Sequence, residues 1–172
     1  RANRKVVQQS TLSDWVPDFR QTTGGQTSSG DLTSCDAVHH VRDSVVTTML
    51  SVLSIDLAGD IQLQAGNSVS IATSGDTVYG TGQSLYVAEG SYGMAIPLAA
   101  AAEDGPAPDV SIRAADRQRT RIHKFDITGV GRPRYVASGS VTGSLLNQYS
   151  MSEHDGNLRV ATTIDQFGGV CC

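Results

Sequence analysis

The chain has 172 residues, a formal net charge of −4, 17% charged residues and 39% hydrophobic residues, with 18 glycines. Sparse charge beside many β-branched residues excludes a disordered chain, and the negative balance argues against nucleic acid, whose binding rests on Lys and Arg at phosphates. No apolar run approaches the ~18 residues a membrane helix needs, and the length is that of one domain with room for a sizeable core.

Residues 1–44 read as a loosely structured lead-in. Arg1-Ala2-Asn3-Arg4-Lys5 is followed by no apolar stretch, so it is not a signal peptide. With no initiator Met, the expectation is that something upstream has been removed or was never included. Trp15-Val16-Pro17-Asp18-Phe19 is the one apolar anchor here, and Gln21 to Gly30 reads as a flexible Gly/Ser/Thr loop.

Val45 to Leu57 is apolar on both faces, and its Thr and Ser with the Gly59-Asp60 stop favour a buried inner strand over a helix. Short alternating runs follow at Ile61–Gln64, Val69–Ile71, Thr77–Tyr79 and Leu85–Val87. Turn residues part them at Ala65-Gly66-Asn67, Ser74-Gly75-Asp76 and Gly80-Thr81-Gly82. Residues 91–118 break the rhythm with Pro97, Gly105, Pro106 and Pro108 and read as an insertion loop. Strands resume over Arg121–Ile127, Arg134–Val141 and Leu145–Met151. A hairpin turn is expected at His154-Asp155-Gly156-Asn157 before Leu158–Thr163, because Gly accepts positive φ without steric cost.

The two β stretches answer one another. Ser54-Ile55-Asp56-Leu57 matches Lys124-Phe125-Asp126-Ile127, and Leu85-Tyr86-Val87-Ala88 matches Leu158-Arg159-Val160-Ala161. Each unit holds about four strands in about 45 residues, the size of one propeller blade. The fold class expected is all-β, with antiparallel four-stranded blades of a partial β-propeller. The layout is a lead-in at 1–44, a first blade at 45–90, an insertion at 91–118, a second blade at 119–164 and a tail at 165–172. Two blades cannot close a ring, so neighbouring blades or self-association are expected to cover the open edges.

Nothing in the sequence forms a convincing catalytic, cofactor or metal site. Ser152, Glu153, His154 and Asp155 hold the ingredients of a nucleophile and base, but four consecutive residues at a hairpin tip point in different directions, so a solvated turn is the stronger reading. His39 and His40 are strand neighbours that face opposite sides and cannot jointly chelate. Asp56, Asp60, Asp76 and Asp155 are potential Ca²⁺ ligands, yet no EF-hand pattern is present and turn chemistry accounts for them. Arg113, Arg117 and Arg121 would share one face of a helix over 110–121, with Arg119 beside them. Such a face suits an acidic partner or a glycan, although a solvated face is the plainer reading. Gly80-Thr81-Gly82 and Gly129-Val130-Gly131 lack a dinucleotide fingerprint and are read as turns. The three cysteines, Cys35, Cys171 and Cys172, show no zinc spacing. One bridge from Cys35 to a terminal Cys in an oxidising compartment and a truncated end fit equally.

Several strings resemble a known family: Asp14-Trp15-Val16-Pro17, Ser34-Cys35-Asp36, Asp76-Thr77-Val78-Tyr79 and Ser84-Leu85-Tyr86-Val87-Ala88. More specific are Ile122-His123-Lys124-Phe125-Asp126-Ile127, Tyr135-Val136-Ala137-Ser138-Gly139 and the stretch from Leu145 to Thr163. They are similar to the secreted bacterial and archaeal β-propeller family distantly related to WD-repeat proteins. The family usually has an aromatic where His154 stands, and Asp165 to Cys172 departs from its pattern. The resemblance implies a propeller, secretion, often by lipoprotein anchoring, and an internal piece of a longer chain. It supplies no activity and no functional residue. The reading is therefore a non-catalytic extracellular binding module with a protein or glycan partner at the cell surface. The alternative is a fragment of a secreted propeller enzyme acting on polysaccharide or peptide, with its active site on blades outside this chain.

Overall fold

A computed structural model describes residues 2–41, 48–59, 61–92, 118–129 and 131–164. One helix, α1 (Ala2–Gln9), precedes eleven strands among these residues: β1 (Asp18–Thr23), β2 (Gln26–Asp31), β3 (Val38–His40), β4 (Met49–Leu53), β5 (Ser68–Ala72), β6 (Thr77–Gly80), β7 (Ser84–Tyr92), β8 (Gln118–Asp126), β9 (Arg134–Thr142), β10 (Met151–His154) and β11 (Asn157–Val160). They form two-stranded sheets β1-β2 and β10-β11, a three-stranded sheet ordered β3-β5-β4, and a four-stranded sheet ordered β6-β7-β8-β9. None of the described helices is long and apolar enough to cross a membrane.

Residues 21–30, expected as a flexible loop, instead close the hairpin β1-β2, whose register runs from Asp18↔Asp31 to Thr23↔Gln26. The turn residues Gly24 and Gly25 have φ of 59° and 82°. Two successive positive φ values are the backbone twist that a two-residue hairpin turn requires. Val45–Leu57 is also revised. Only Met49–Leu53 is a strand, all of it half-buried, while Ile55 and Leu57 are exposed and residues 42–47 lie outside the described set. Ile61–Gln64 forms no strand, and Leu145–Met151 ends in a tight helical turn, Gln148–Ser150. That turn follows from Asn147, whose side chain accepts the Tyr149 N–H at 2.9 Å and draws the backbone out of the extended form.

The expected blade ranges are 45–90 and 119–164. Strand β7 from the first range and β8 from the second are neighbours in one four-stranded sheet. The expected insertion gives up residues at both ends to these strands, and its remainder lies outside the described residues. A local repeat records how each strand is patterned; it does not record which strand lies beside it. The repeat itself has a structural counterpart at its aspartates. Asp56 accepts the Ala58 N–H at 2.8 Å and Asp126 accepts the Thr128 N–H at 2.9 Å, so both copies leave their apolar run through the same side-chain-capped turn.

The described residues fall into two compact units, one comprising Arg1–Ser74, Gly80–Leu85 and Lys124–Ala137, the other Gly75–Tyr79, Tyr86–His123 and Ser138–Cys172. The first is organised on β5, which pairs antiparallel with β4 and parallel with β3. Val69 and Ile71 fill one face of β5, and Ser68 and Ser70 are fully buried on the other. Strand β5 is therefore covered on both sides, whereas the described part of the Val45–Leu57 run is not. The polar face is tolerated because its hydroxyls bond one another. Ser68 donates to the Leu32 carbonyl, so its contact with Thr33 at 2.7 Å is donated by Thr33. With that proton committed, the 2.7 Å Thr33–Ser70 bond is donated by Ser70, and the 2.6 Å Ser70–Ser51 bond by Ser51. One proton per hydroxyl makes a single directed chain: Ser51 to Ser70 to Thr33 to Ser68 to the Leu32 carbonyl.

The second unit packs Tyr86, Ala88, Ile122 and Met151 together, with Tyr79, Val141, Leu145, Leu158 and Val160 around them. Tyr86 and Ala88 are two apart on β7, as one strand face demands. The Tyr79 ring stacks on Tyr86 at 6.0 Å, and its hydroxyl accepts the Glu153 N–H at 3.0 Å. The expected hairpin between β10 and β11 is present, with φ of 50° at Asp155 and 74° at Gly156.

Candidate binding clefts

In the first unit, strand β8 ends at Asp126 and the chain turns at once. The Asp126 carboxylate accepts from the Thr128 N–H and, at 2.5 Å, from its hydroxyl, while Arg134 donates to the other oxygen at 2.9 Å. These bonds, Thr128 first, hold Asp126 down at a pKa of about 2. Beyond the turn, Gly129 and Gly131 have φ of 105° and 144°, which L side chains rarely adopt. The segment walls a cleft of about 140 Å³ that Ser54, Asp126, Thr128, Arg132 and Pro133 help to line.

Arg132 is fixed from a distant part of the chain. Its Nη1 donates to Asp36 at 3.0 Å and to Ser34 at 3.3 Å, partners 96 and 98 positions away. Ser34 first and Arg132 second hold the Asp36 carboxyl below its usual range. Among the described residues both hydrogen bonds of this guanidinium are made by Nη1.

The second unit holds a cleft of about 250 Å³ lined by Asp76, Thr77, Ala88, Ser144, Leu145 and Leu146, among others. The Asp76 N–H donates to the Ala88 carbonyl at 3.1 Å, which seats the carboxylate at the start of β6. Ser144 and Thr163 exchange two backbone bonds of 2.9 Å, and the buried Thr120 hydroxyl donates to the Gly143 carbonyl at 2.7 Å. Leu145 and Leu146 are thus held at a backbone junction. In the same unit Arg121 pairs with the buried Glu89 at 3.4 Å, and His123 is fully buried. Burial, and then Arg121, push the His123 pKa below 6.5, while Glu89 opposes them.

Sequence reasoning had considered other residues. Ser152, Glu153 and His154 lie along β10, with Asp155 in the turn. His154 and Asp155 approach to 3.2 Å, both in solvent. His39 and His40 take opposite faces of β3, beside Ile71 and Ala72 respectively, and the His39 ring lies 4.9 Å from Tyr135. Asp56 accepts the Ala58 N–H, Asp76 accepts the Thr77 hydroxyl, Asp155 lies in the β10–β11 turn, and Asp60 is outside the described residues. Among the described residues no three of His, Cys, Asp and Glu gather as a metal site would require. The helical arginine face does not form at its described end. Residues 118–126 are strand β8, where Arg119 bonds Ser140 at 2.8 Å and Arg121 bonds Glu89, while Arg113 and Arg117 lie outside the described residues. Cys35 is exposed and, among the described residues, bonds to no other cysteine; Cys171 and Cys172 are outside that set.

Arg132, Asp36, Glu89 and His123 were not singled out from the sequence. The Gly-x-Gly before Arg132 was the one local signal for the first cleft, and it was read only as a turn. A family model described as beta propeller domain matches residues 1–169. No curated protein and no solved structure matches the chain.

Proposed function

Because the chain belongs to the beta propeller domain family, we propose that it is a non-catalytic binding module that recognises a protein or glycan partner at the cell surface. The observation that carries this reading is Arg132. Its guanidinium is braced on one side by Asp36 and Ser34, at the edge of a cleft sized for one functional group rather than for a polymer segment undergoing cleavage. The neighbouring charge on Asp126 is occupied by Thr128 and Arg134, so it shapes the loop. A preset donor beside a shaped loop is recognition chemistry, and loops on a rigid β scaffold are where such chemistry concentrates. Fold alone does not assign a function, and the reading rests on the cleft. An extracellular or cell-surface setting, with a distant relation to WD-repeat proteins, goes with this proposal.

The test is binding of the purified chain to arrays of cell-surface glycans and of peptides, with Arg132→Ala in parallel. Retention of the fold with loss of the captured ligand in Arg132→Ala is the expected result. Hydrolysis of any arrayed glycan or peptide that is abolished by one polar substitution in this chain would overturn the proposal and favour an enzyme.

A further inference from the structure

The second unit's cleft carries chemistry separate from the Arg132 reading. Its charged group is Asp76, which is exposed and, among the described residues, paired with no cation. One carboxylate oxygen, Oδ1, accepts from the Thr77 hydroxyl at 3.1 Å. The other oxygen has no protein donor among the described residues. The hydroxyls of Thr77 and Ser144 also line the cleft, and each keeps acceptor capacity after donating. Ala88, Leu145 and Leu146 give the cleft an aliphatic side, and Gly90 and the buried Thr120 complete the lining. Leu146 is 84% exposed, and Tyr149, three residues on, is 86% exposed. Large apolar side chains left in water beside a cleft mark a contact surface.

An acidic and hydroxyl-bearing end with an aliphatic wall matches a ligand that has a methylene stem and a cationic head. The head is an ammonium rather than a guanidinium, because acceptors spread over the Asp76 carboxylate and the two hydroxyls suit a compact head with three rotatable donors, whereas a planar fork is matched to a carboxylate alone. An ammonium has three donors to place on the free Asp76 oxygen and the two hydroxyls. The exposed Leu146 extends the surface beyond what a free amine would cover. We propose that this cleft docks a lysine side chain of a partner polypeptide, with the stem along Leu145 and Leu146 and the ammonium at Asp76.

The probes are a hexapeptide with one central lysine, the same peptide with norleucine at that position, and n-butylammonium alone. Binding is followed by methyl NMR at Leu145 and Leu146 on the full chain. The lysine peptide should shift both leucines, and norleucine should weaken binding about tenfold, the scale of one charge-assisted hydrogen bond. Asp76→Asn, which keeps an acceptor for Thr77, should produce the same loss. Ser144→Ala gives an independent reading in the same direction, and Leu146→Ser, which removes part of the wall for the stem, should weaken both the peptide and butylammonium. Equal binding of the lysine and norleucine peptides, or unchanged binding in Asp76→Asn, would overturn the proposal. So would butylammonium binding as tightly as the peptide, which would assign the site to a free amine or an amine headgroup. Arg132→Ala should leave this binding intact, so failure here is distinguishable from failure of the Arg132 reading.

Discussion

The directed hydroxyl chain on β5 makes an asymmetric prediction that counting hydrogen bonds would miss. Thr33, Ser68 and Ser70 are fully buried, whereas Ser51, at the head of the chain, is half-buried. Thr33→Val preserves shape but removes two buried bonds, its own donation to Ser68 and its acceptance of the Ser70 proton, which must then turn back to Ser51, and the loss costs about 1–3 kcal/mol. Ser51→Ala removes only the first donor. Ser70 still donates to Thr33 and loses no acceptor, so the cost is that of one ordinary hydrogen bond, about 0.5–1.5 kcal/mol. With a urea slope of about 2 kcal/mol/M, a 2 kcal/mol loss lowers the midpoint by roughly 1 M, well clear of the Ser51→Ala shift. The assay is urea unfolding of both single variants and the double. In the double variant Ser70 loses both Thr33 and Ser51 as acceptors, so the double should be destabilised by more than the sum of the two single variants. A Thr33→Val cost no larger than that of Ser51→Ala would show that the protons do not run in this direction.

Gly143→Ala should destabilise by about 2–4 kcal/mol, because φ there is +93° and a Cβ would lie 2.7 Å from the Thr163 carbonyl oxygen; amide exchange at Ser144 and Thr163 should accelerate together, and unchanged protection would refute the packing argument. The Asp126 carboxyl titrates at about 2 in the fold against an ordinary 3.8, so its contribution is complete above 3.8 and is lost as pH falls towards 2. Thr128→Val should raise that pKa in a carboxyl-carbon NMR titration, and a value still near 2 would exclude the hydroxyl as the main cause. His123 behaves in the same sense for a different reason: burial lowers its pKa below 6.5, the unfolded chain takes up a proton that the folded one resists, and stability falls as pH drops below about 6.5. His123→Phe should flatten that part of the stability–pH curve, and an unchanged slope would show that another group is responsible. Gly25→Val should cost about 1–2 kcal/mol through its positive φ, whereas Gly24→Asn should be tolerated; equal thermal shifts would argue against the two-residue turn.

Alternation and turn chemistry were readable before any coordinates. Thr77–Tyr79, Leu85–Val87 and Arg134–Val141 fall on strands, Arg121–Ile127 does so as far as Asp126, and Asp155-Gly156 closes the hairpin it announces. The paired Asp56 and Asp126 mark the same capped turn in both copies of the repeat. These features are local: a side chain and its own backbone decide them, so neighbouring residues carry the information. The same logic misread Gln21–Gly30, because composition was weighed above the Gly24-Gly25 pair between β-forming runs.

Tertiary structure alone decided which strands are neighbours, which faces are covered and which charges meet. Strand β7 lies beside β8 although the repeat suggested a boundary between them. Ser68 and Ser70 look like a solvent face in one dimension and are buried in three, since Thr33, more than thirty positions away, supplies the partners that make their burial tolerable. Arg132 and Asp36 meet across 96 positions. A polar residue's environment depends on what the rest of the chain brings to it, and that is a property of the folded arrangement rather than of the string.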